Sequence, residues 1–119
     1  MEWRFTGEQP VYQQIITIIQ GAVLSGEYPP GGRVPPVREL AAAARVNPNT
    51  MQRALSELER QGILETAGTM GRYVTRDEAV LSVLRTPRIT ELARECARQF
   101  AAYGISPREA ASLLKGMEE

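Results

Sequence analysis

Asn49, Gln52, Arg53 and Ser56 recur at the i, i+3, i+4, i+7 spacing of one helical face, with Thr50 beside them near its start. Carboxamides, hydroxyls and a guanidinium in that pattern offer hydrogen-bond donors and acceptors, but no nucleophile paired with a base. Gln matches the edge of adenine and Arg the edge of guanine in bidentate geometry, each pair giving about 1–3 kcal/mol of discrimination in a duplex groove. Gln52 and Arg53 are therefore the base-reading candidates. The plainer reading is an exposed helix face with ordinary polar residues, and on periodicity alone the two stand level. Asn49 and Thr50 lie where free amides and the helix dipole meet phosphate or base edges. They suit local capping beside Asn47 equally well.

Charge decides little globally and more locally. Lys plus Arg (14) equals Asp plus Glu (14), so no whole-molecule field draws the chain to nucleic acid or membrane. All the basic residues but Lys115 are arginines. Between positions 31 and 56, however, Arg33, Arg38, Arg45 and Arg53 stand against Glu39 alone. Arg33 and Arg45 are the weaker candidates there, for phosphate. For Arg38 the competing reading is a solvated side chain paired with Glu39 or Glu57.

The absences exclude whole classes of chemistry. With no His and a single Cys, zinc fingers, His-based triads, Cys–His pairs and disulfide frameworks all fail. No acid, base and nucleophile converge at a recognisable spacing, so neither an enzyme nor a metal or cofactor site is expected. The apolar stretches fall short of a membrane span and the start is not a signal peptide, which predicts a soluble, cytoplasmic chain with no membrane partner.

The elements that must carry these residues follow from punctuation and period. Residues 1–9 read as an arm, with Trp3 and Phe5 as candidates to pack back. A helix is expected from Pro10 to Ser25, buried along Tyr12, Ile16, Ile19 and Val23, widened by Ile15, Ile18 and Ala22, and ended by Gly26. Gly and Pro fill the loop from Gly26 to Pro36, with room for a short extended stretch at Arg33-Val34. A short helix from Pro36 to Ala44 turns Val37, Leu40, Ala41 and Ala44 inward, and Arg45-Val46 is a tight turn. Asn47 and Pro48 open the next helix, to Gln61, which buries Met51, Ala54, Leu55 and Leu58 and presents the polar face described above. Ile63–Thr66 and Arg72–Thr75 read as strands joined by Ala67–Gly71. That order is a winged helix-turn-helix, a mostly α fold with a small β-hairpin.

Two further helices follow. Residues 77–86 read as a helical turn or linker, and Pro87 is expected to interrupt any helix continuing from there. A helix from Arg88 to Tyr103 carries Ile89, Leu92, Ala93, Cys96 and Phe100 on one stripe, so the Cys96 thiol is expected to be buried as a small hydrophobe. Ser106-Pro107-Arg108-Glu109 is a capping box opening a last helix with Ala110, Leu113, Leu114 and Met117 inward. Helices this short need a partner surface. The expected organisation is an arm over 1–9, a winged domain over 10–76 and a helical tail over 77–119.

Several interlocking segments resemble the DNA-binding domain of GntR-family bacterial regulators. They are Pro10-Val-Tyr-Gln-Gln-Ile15, Gly26-Glu-Tyr-Pro-Pro-Gly31, Val37-Arg-Glu-Leu-Ala41, Val46-Asn-Pro-Asn-Thr50, Leu58–Thr66 and Gly71-Arg-Tyr-Val74. The resemblance covers roughly residues 10–75, and the short tail is similar to that of the YtrA-type subfamily. It implies double-stranded DNA as a partner, contacted through Arg38, Asn49, Thr50, Gln52 and Arg53, with Gly71 and Arg72 at the wing tip. For Arg72 a strand-end surface charge is the equal alternative. It also implies a homodimer built by the tail, through Ile89, Leu92, Cys96, Phe100, Leu113, Leu114 and Met117, and control of a transporter operon, with repression by occluding polymerase.

Four departures from the family pattern matter. Pro36 stands where a capping Ser is usual, Arg45 where Gly is usual, Gln52 where many relatives carry Arg, and Ala67 and Gly68 where basic wing residues are common. A left-handed Arg45 would cost about 1–2 kcal/mol, which predicts a turn built differently. Together the departures predict weaker contact per half-site and greater dependence on dimerisation. The competing class is a protein-binding winged helix, favoured by zero net charge and a wing poor in basic residues. A third reading is a regulator gated by a small-molecule effector in a crevice between tail and winged domain. Cys96, Phe100, Tyr103 and Met117 are apolar enough to line one, although residues so spaced are more often core or interface.

Overall fold

The computed structural model describes residues 1–118 and divides into two compact units, one from Met1 to Ser82 and one from Val83 onward. The first holds α1 (Val11–Ser25), β1 (Arg33–Val34), α2 (Val37–Ala44), α3 (Pro48–Arg60), β2 (Leu64–Thr66) and β3 (Arg72–Val74). The helix α4 (Glu78–Ala101) begins in it and continues into the second unit, which α5 (Pro107–Lys115) completes.

The winged unit is built around α3. Met51, Ala54, Leu55 and Leu58 are completely buried, and α1 and α2 both pack on that helix. From α1 come Ile15, Ile16, Ile19, Ala22 and Val23; from α2 come Leu40, Ala41 and Ala44. Tyr12, Ile18 and Val37 are only half-buried, at the edges of their stripes. Gly26 closes α1 at φ 85°, where its N–H bonds the Val23 carbonyl and the Tyr28 N–H bonds that of Ala22. The arm is tied to α1 through Gln14. Its carboxamide accepts from the Thr6 N–H at 2.8 Å and donates to the Thr6 and Gln9 carbonyls. Trp3 and Phe5 stack on each other at 6.4 Å, both half-buried.

The strands form a three-stranded antiparallel sheet in the order β1-β3-β2. The extended stretch at Arg33-Val34 is thus the third strand, in register with Tyr73 and Arg72, and β2 pairs on the other edge through Leu64–Val74, Glu65–Tyr73 and Thr66–Arg72. Val34, Ile63, Leu64 and Val74 close the core beneath the sheet. Gly68–Met70 forms a single 3₁₀ turn at the hairpin tip. Thr75, 1% exposed, donates its hydroxyl to Glu65 at 2.9 Å and accepts the Asp77 N–H, while Asp77 caps α4 by accepting from Ala79 at 3.0 Å.

Two local expectations are corrected. Arg45 does adopt the left-handed conformation, φ 58° and ψ 45°, so the turn keeps the backbone path of a glycine. Its N–H bonds the Ala42 carbonyl and the Val46 N–H bonds that of Ala41 at 3.0 Å, a closure that satisfies two carbonyls at the end of α2 and offsets the strain. Pro87 does not break the chain into a linker and a helix: α4 runs unbroken from Glu78 to Ala101 through it. Val83, whose carbonyl loses its partner four residues on, is 77% exposed, and Pro87 is exposed as well. Water can solvate the freed group there.

In the second unit Gly104 ends α4 and the Ser106–Glu109 capping box opens α5, both backbone and side-chain bonds being formed. Glu91, Arg94, Glu95 and Arg98 form a run of ion pairs along one side of α4. The apolar stripe is open rather than inward. Ile89 and Leu92 are exposed, as are Leu113, Leu114 and Met117, and of the expected inward positions of α5 only Ala110 is buried. Cys96 and Phe100 are half-buried, so the thiol is less enclosed than its position on the stripe suggested. Nine residues of α5 have too little surface to cover that stripe alone.

Candidate nucleic-acid interface

The polar face of α3 is set by its opposite face. Because four apolar residues are locked completely into the core, Asn49, Gln52, Arg53 and Ser56 are held outward, and all four are exposed. Asn47 fixes where that face begins: its side-chain oxygen accepts the Asn49 N–H at 2.7 Å, and Pro48 follows at the first helical position. The capping role therefore belongs to Asn47. Thr50 lies half-buried beside it, with its N–H bonded to the Asn47 carbonyl at 3.0 Å. Gln52 donates to the Ser56 hydroxyl at 3.0 Å, one turn along the same face.

Arg53 leans toward α1, and its guanidinium carbon sits 3.7 Å from the centre of the Tyr12 ring. Glu57, one turn away, is already engaged by two bonds from Arg60 and one from Gln61, and the Arg60 guanidinium holds its carboxyl below the usual range. Tyr12, Gln13, Ile16, Arg53, Glu57 and Gln61 line a groove of about 310 Å³ between α1 and α3.

Arg38 and Arg45 are exposed on α2 and in the turn after it. Among the described residues neither makes an ion pair, so the expected alternative of Arg38 with Glu39 or Glu57 is not formed. Both positive charges stand free on the side of the chain that leads into α3.

The wing divides its arginines. Gly71, at φ 102° and ψ −160°, occupies backbone space that a side chain rarely tolerates, and a Cβ there would meet the Arg33 guanidinium at 3.3 Å. The Arg33 guanidinium therefore lies beside the Gly71 backbone. Arg72 points back to α3 and pairs with Glu59. Sequence reasoning missed Glu59 as the wing's anchor and Tyr12 as the partner of Arg53. The only signal for Tyr12 was its place at the head of the first helix, which served the core stripe just as well. Among the described residues no group of His, Cys, Asp and Glu is arranged to hold a metal ion, and no helix is long and apolar enough to cross a membrane.

Comparison with known proteins gives the geometry its context. Residues 11–74 match the family model described as bacterial regulatory proteins, gntR family. The chain is 44% identical over 68 residues to the transcriptional repressor YtrA of Bacillus subtilis, an alignment covering 57% of this chain and 52% of that one. Among solved structures, a GntR family transcriptional regulator from Listeria monocytogenes superposes with a TM-score of 0.71 at 32% identity, covering 96% of this chain and all of the other. The DNA-binding domain of AraR in complex with operator ORX1 superposes with a TM-score of 0.58 at 26% identity, covering 63% of this chain and 96% of that one.

Proposed function

Since the chain belongs to the gntR family of bacterial regulatory proteins, and is a DNA-binding transcriptional regulator with a winged helix-turn-helix rather than an enzyme, we propose that it acts as a homodimeric repressor on a pseudo-palindromic operator. The observation that carries the proposal is the two-sided character of α3, completely buried on one face and exposed, polar and free of acids near its start on the other. In this reading the winged domain over 10–76 binds and the tail over 77–119 dimerises. The N-terminal half of α3 enters the major groove, with Gln52 and Arg53 at base edges and Asn49 and Thr50 at its rim. Arg38, with Arg33 and Arg45 behind it, neutralises phosphate. Gly71 brings the wing backbone close to the duplex, and Arg72, tied to Glu59, fixes how the wing stands on α3.

The open stripe of the second unit supports the dimer. Ile89, Leu92, Leu113, Leu114 and Met117 are each half or more exposed, more apolar surface than so small a unit leaves to water without a partner. A two-fold dimer presents two recognition helices to half-sites about 34–36 Å apart, or a multiple of that. Repression draws its support from the likeness to the transcriptional repressor YtrA, with occlusion of polymerase as its simplest mechanism. Selection of bound sequences from a random duplex pool at near-physiological salt tests the proposal. Recovery of an inverted repeat is the expected result, and recovery of only salt-sensitive background would overturn it in favour of an effector-gated regulator or a protein-binding winged helix.

A further inference from the structure

We propose that Tyr12 is a positioning residue for base readout, its ring holding the Arg53 guanidinium at the DNA-facing edge of α3. The inference rests on the DNA-reading role of α3 proposed above. A separation of 3.7 Å between the guanidinium carbon and the ring centre is the spacing of stacked planes; an edge-on guanidinium would drive a nitrogen into the ring. Stacking uses the face of the guanidinium and leaves its rim of N–H donors open. Among the described residues none of those donors is engaged in a hydrogen bond or ion pair.

The surroundings explain why the ring holds Arg53 and not an acid. Glu57, the natural partner one turn on, is bound by Arg60 and Gln61. The half-buried Tyr12 is itself fixed as part of α1, which packs directly on α3, and its hydroxyl accepts from the Gln13 side chain at 3.3 Å. A long arginine side chain loses rotamer freedom when it binds a base edge. Stacked on Tyr12, Arg53 has given up part of that freedom in the folded protein already, and its donors remain unengaged among the described residues. Tyr12 is thereby distinguished from the other α1 core residues, which only support α3 from behind.

The test uses the full chain, the duplex recovered by selection and its single-base variants, with wild type, Y12F, Y12L, R53A and the Y12L/R53A double variant. R53A should erase the preference at one base position. Y12L, which keeps apolar bulk and removes the π face, should lower the preference at that same position about two- to fivefold, the factor for an exposed cation–π contact, and leave the other positions alone. Y12F should retain it, and Y12L should add nothing once Arg53 is gone. An upfield ring-current shift of the Arg53 δ protons, present in wild type and Y12F and lost in Y12L, should report the stack without DNA. Equal weakening at every position, or an undiminished effect of Y12L in the R53A background, would reduce Tyr12 to a packing residue and overturn the inference. An R53A protein with all base preferences intact would overturn it too while leaving the regulator standing. A wild type that selects no sequence would remove both.

Discussion

The guanidinium of Arg72, in the last strand of the wing, is ion-paired with the carboxylate of Glu59, in the last turn of α3, and the two side chains are only 20% and 30% exposed. The pair joins α3 and the wing, the two elements proposed to face DNA, directly, without passing through the core beneath them. A partly enclosed, charge-assisted bond of this kind is worth more than a surface ion pair, because fewer waters compete for either group. It also engages the one arginine of the last strand, leaving the Arg33 guanidinium beside Gly71.

Replacing Glu59 with Gln should therefore destabilise the protein by about 1–2 kcal/mol, since Arg72 keeps its charge and loses the carboxylate. Urea unfolding followed by circular dichroism measures this. A double-mutant cycle with Arg72→Met separates the pair from unrelated losses, and a coupling near zero would make the contact incidental.

Arg45 carries opposed contributions that one substitution can separate. Gly at that position relieves the left-handed strain of about 1–2 kcal/mol, partly offset by greater freedom of the unfolded chain, so Arg45→Gly should raise thermal stability modestly. If the guanidinium meets phosphate, the same variant should bind all duplexes more weakly, and the slope of log affinity against log salt should fall by about one. Unchanged slope with raised stability would leave Arg45 without a role at DNA.

What could be read from the one-dimensional pattern was what is local or periodic. The α3 stripe of Met51, Ala54, Leu55 and Leu58 and the Asn47 cap depend on neighbours within two turns, and both are found as expected. Arg45 and Pro87 misled because residue preference was weighed without what compensates it: two closing backbone bonds in one case, solvent on the freed carbonyl in the other. The Glu59–Arg72 and Tyr12–Arg53 contacts join separate elements, and no spacing rule reaches across a turn and a sheet. In the tail the amphipathic stripe was visible, but helical spacing does not name what covers Leu113, Leu114 and Met117, and all three are exposed.

Leu92 is the most direct probe of that surface, being 69% exposed in the midst of the stripe. Leu92→Glu places a carboxylate in the proposed interface, where two-fold symmetry brings two such charges close together. Light scattering should show the wild type as a dimer and the variant as a monomer, with affinity for a full inverted repeat falling toward that for a half-site. Circular dichroism of the variant should show the winged unit intact, since Leu92 lies outside it. A variant that stays dimeric would move the interface elsewhere.

Tyr28 makes stability fall at alkaline pH. Burial, reinforced by the carboxylates of Glu27 and Glu39, holds its phenol above the ordinary tyrosine value. The folded state then keeps a proton that the unfolded chain has released, so unfolding is favoured as pH rises. The contribution is fully present below the unfolded pKa of about 10 and is lost as pH climbs through the higher folded value. Tyr28→Phe removes the titrating group, and its stability should fall less steeply than wild type across that window in urea titrations at a series of pH values. Equal slopes for wild type and Tyr28→Phe would mean that the phenol ionises as freely in the folded protein as in the unfolded chain.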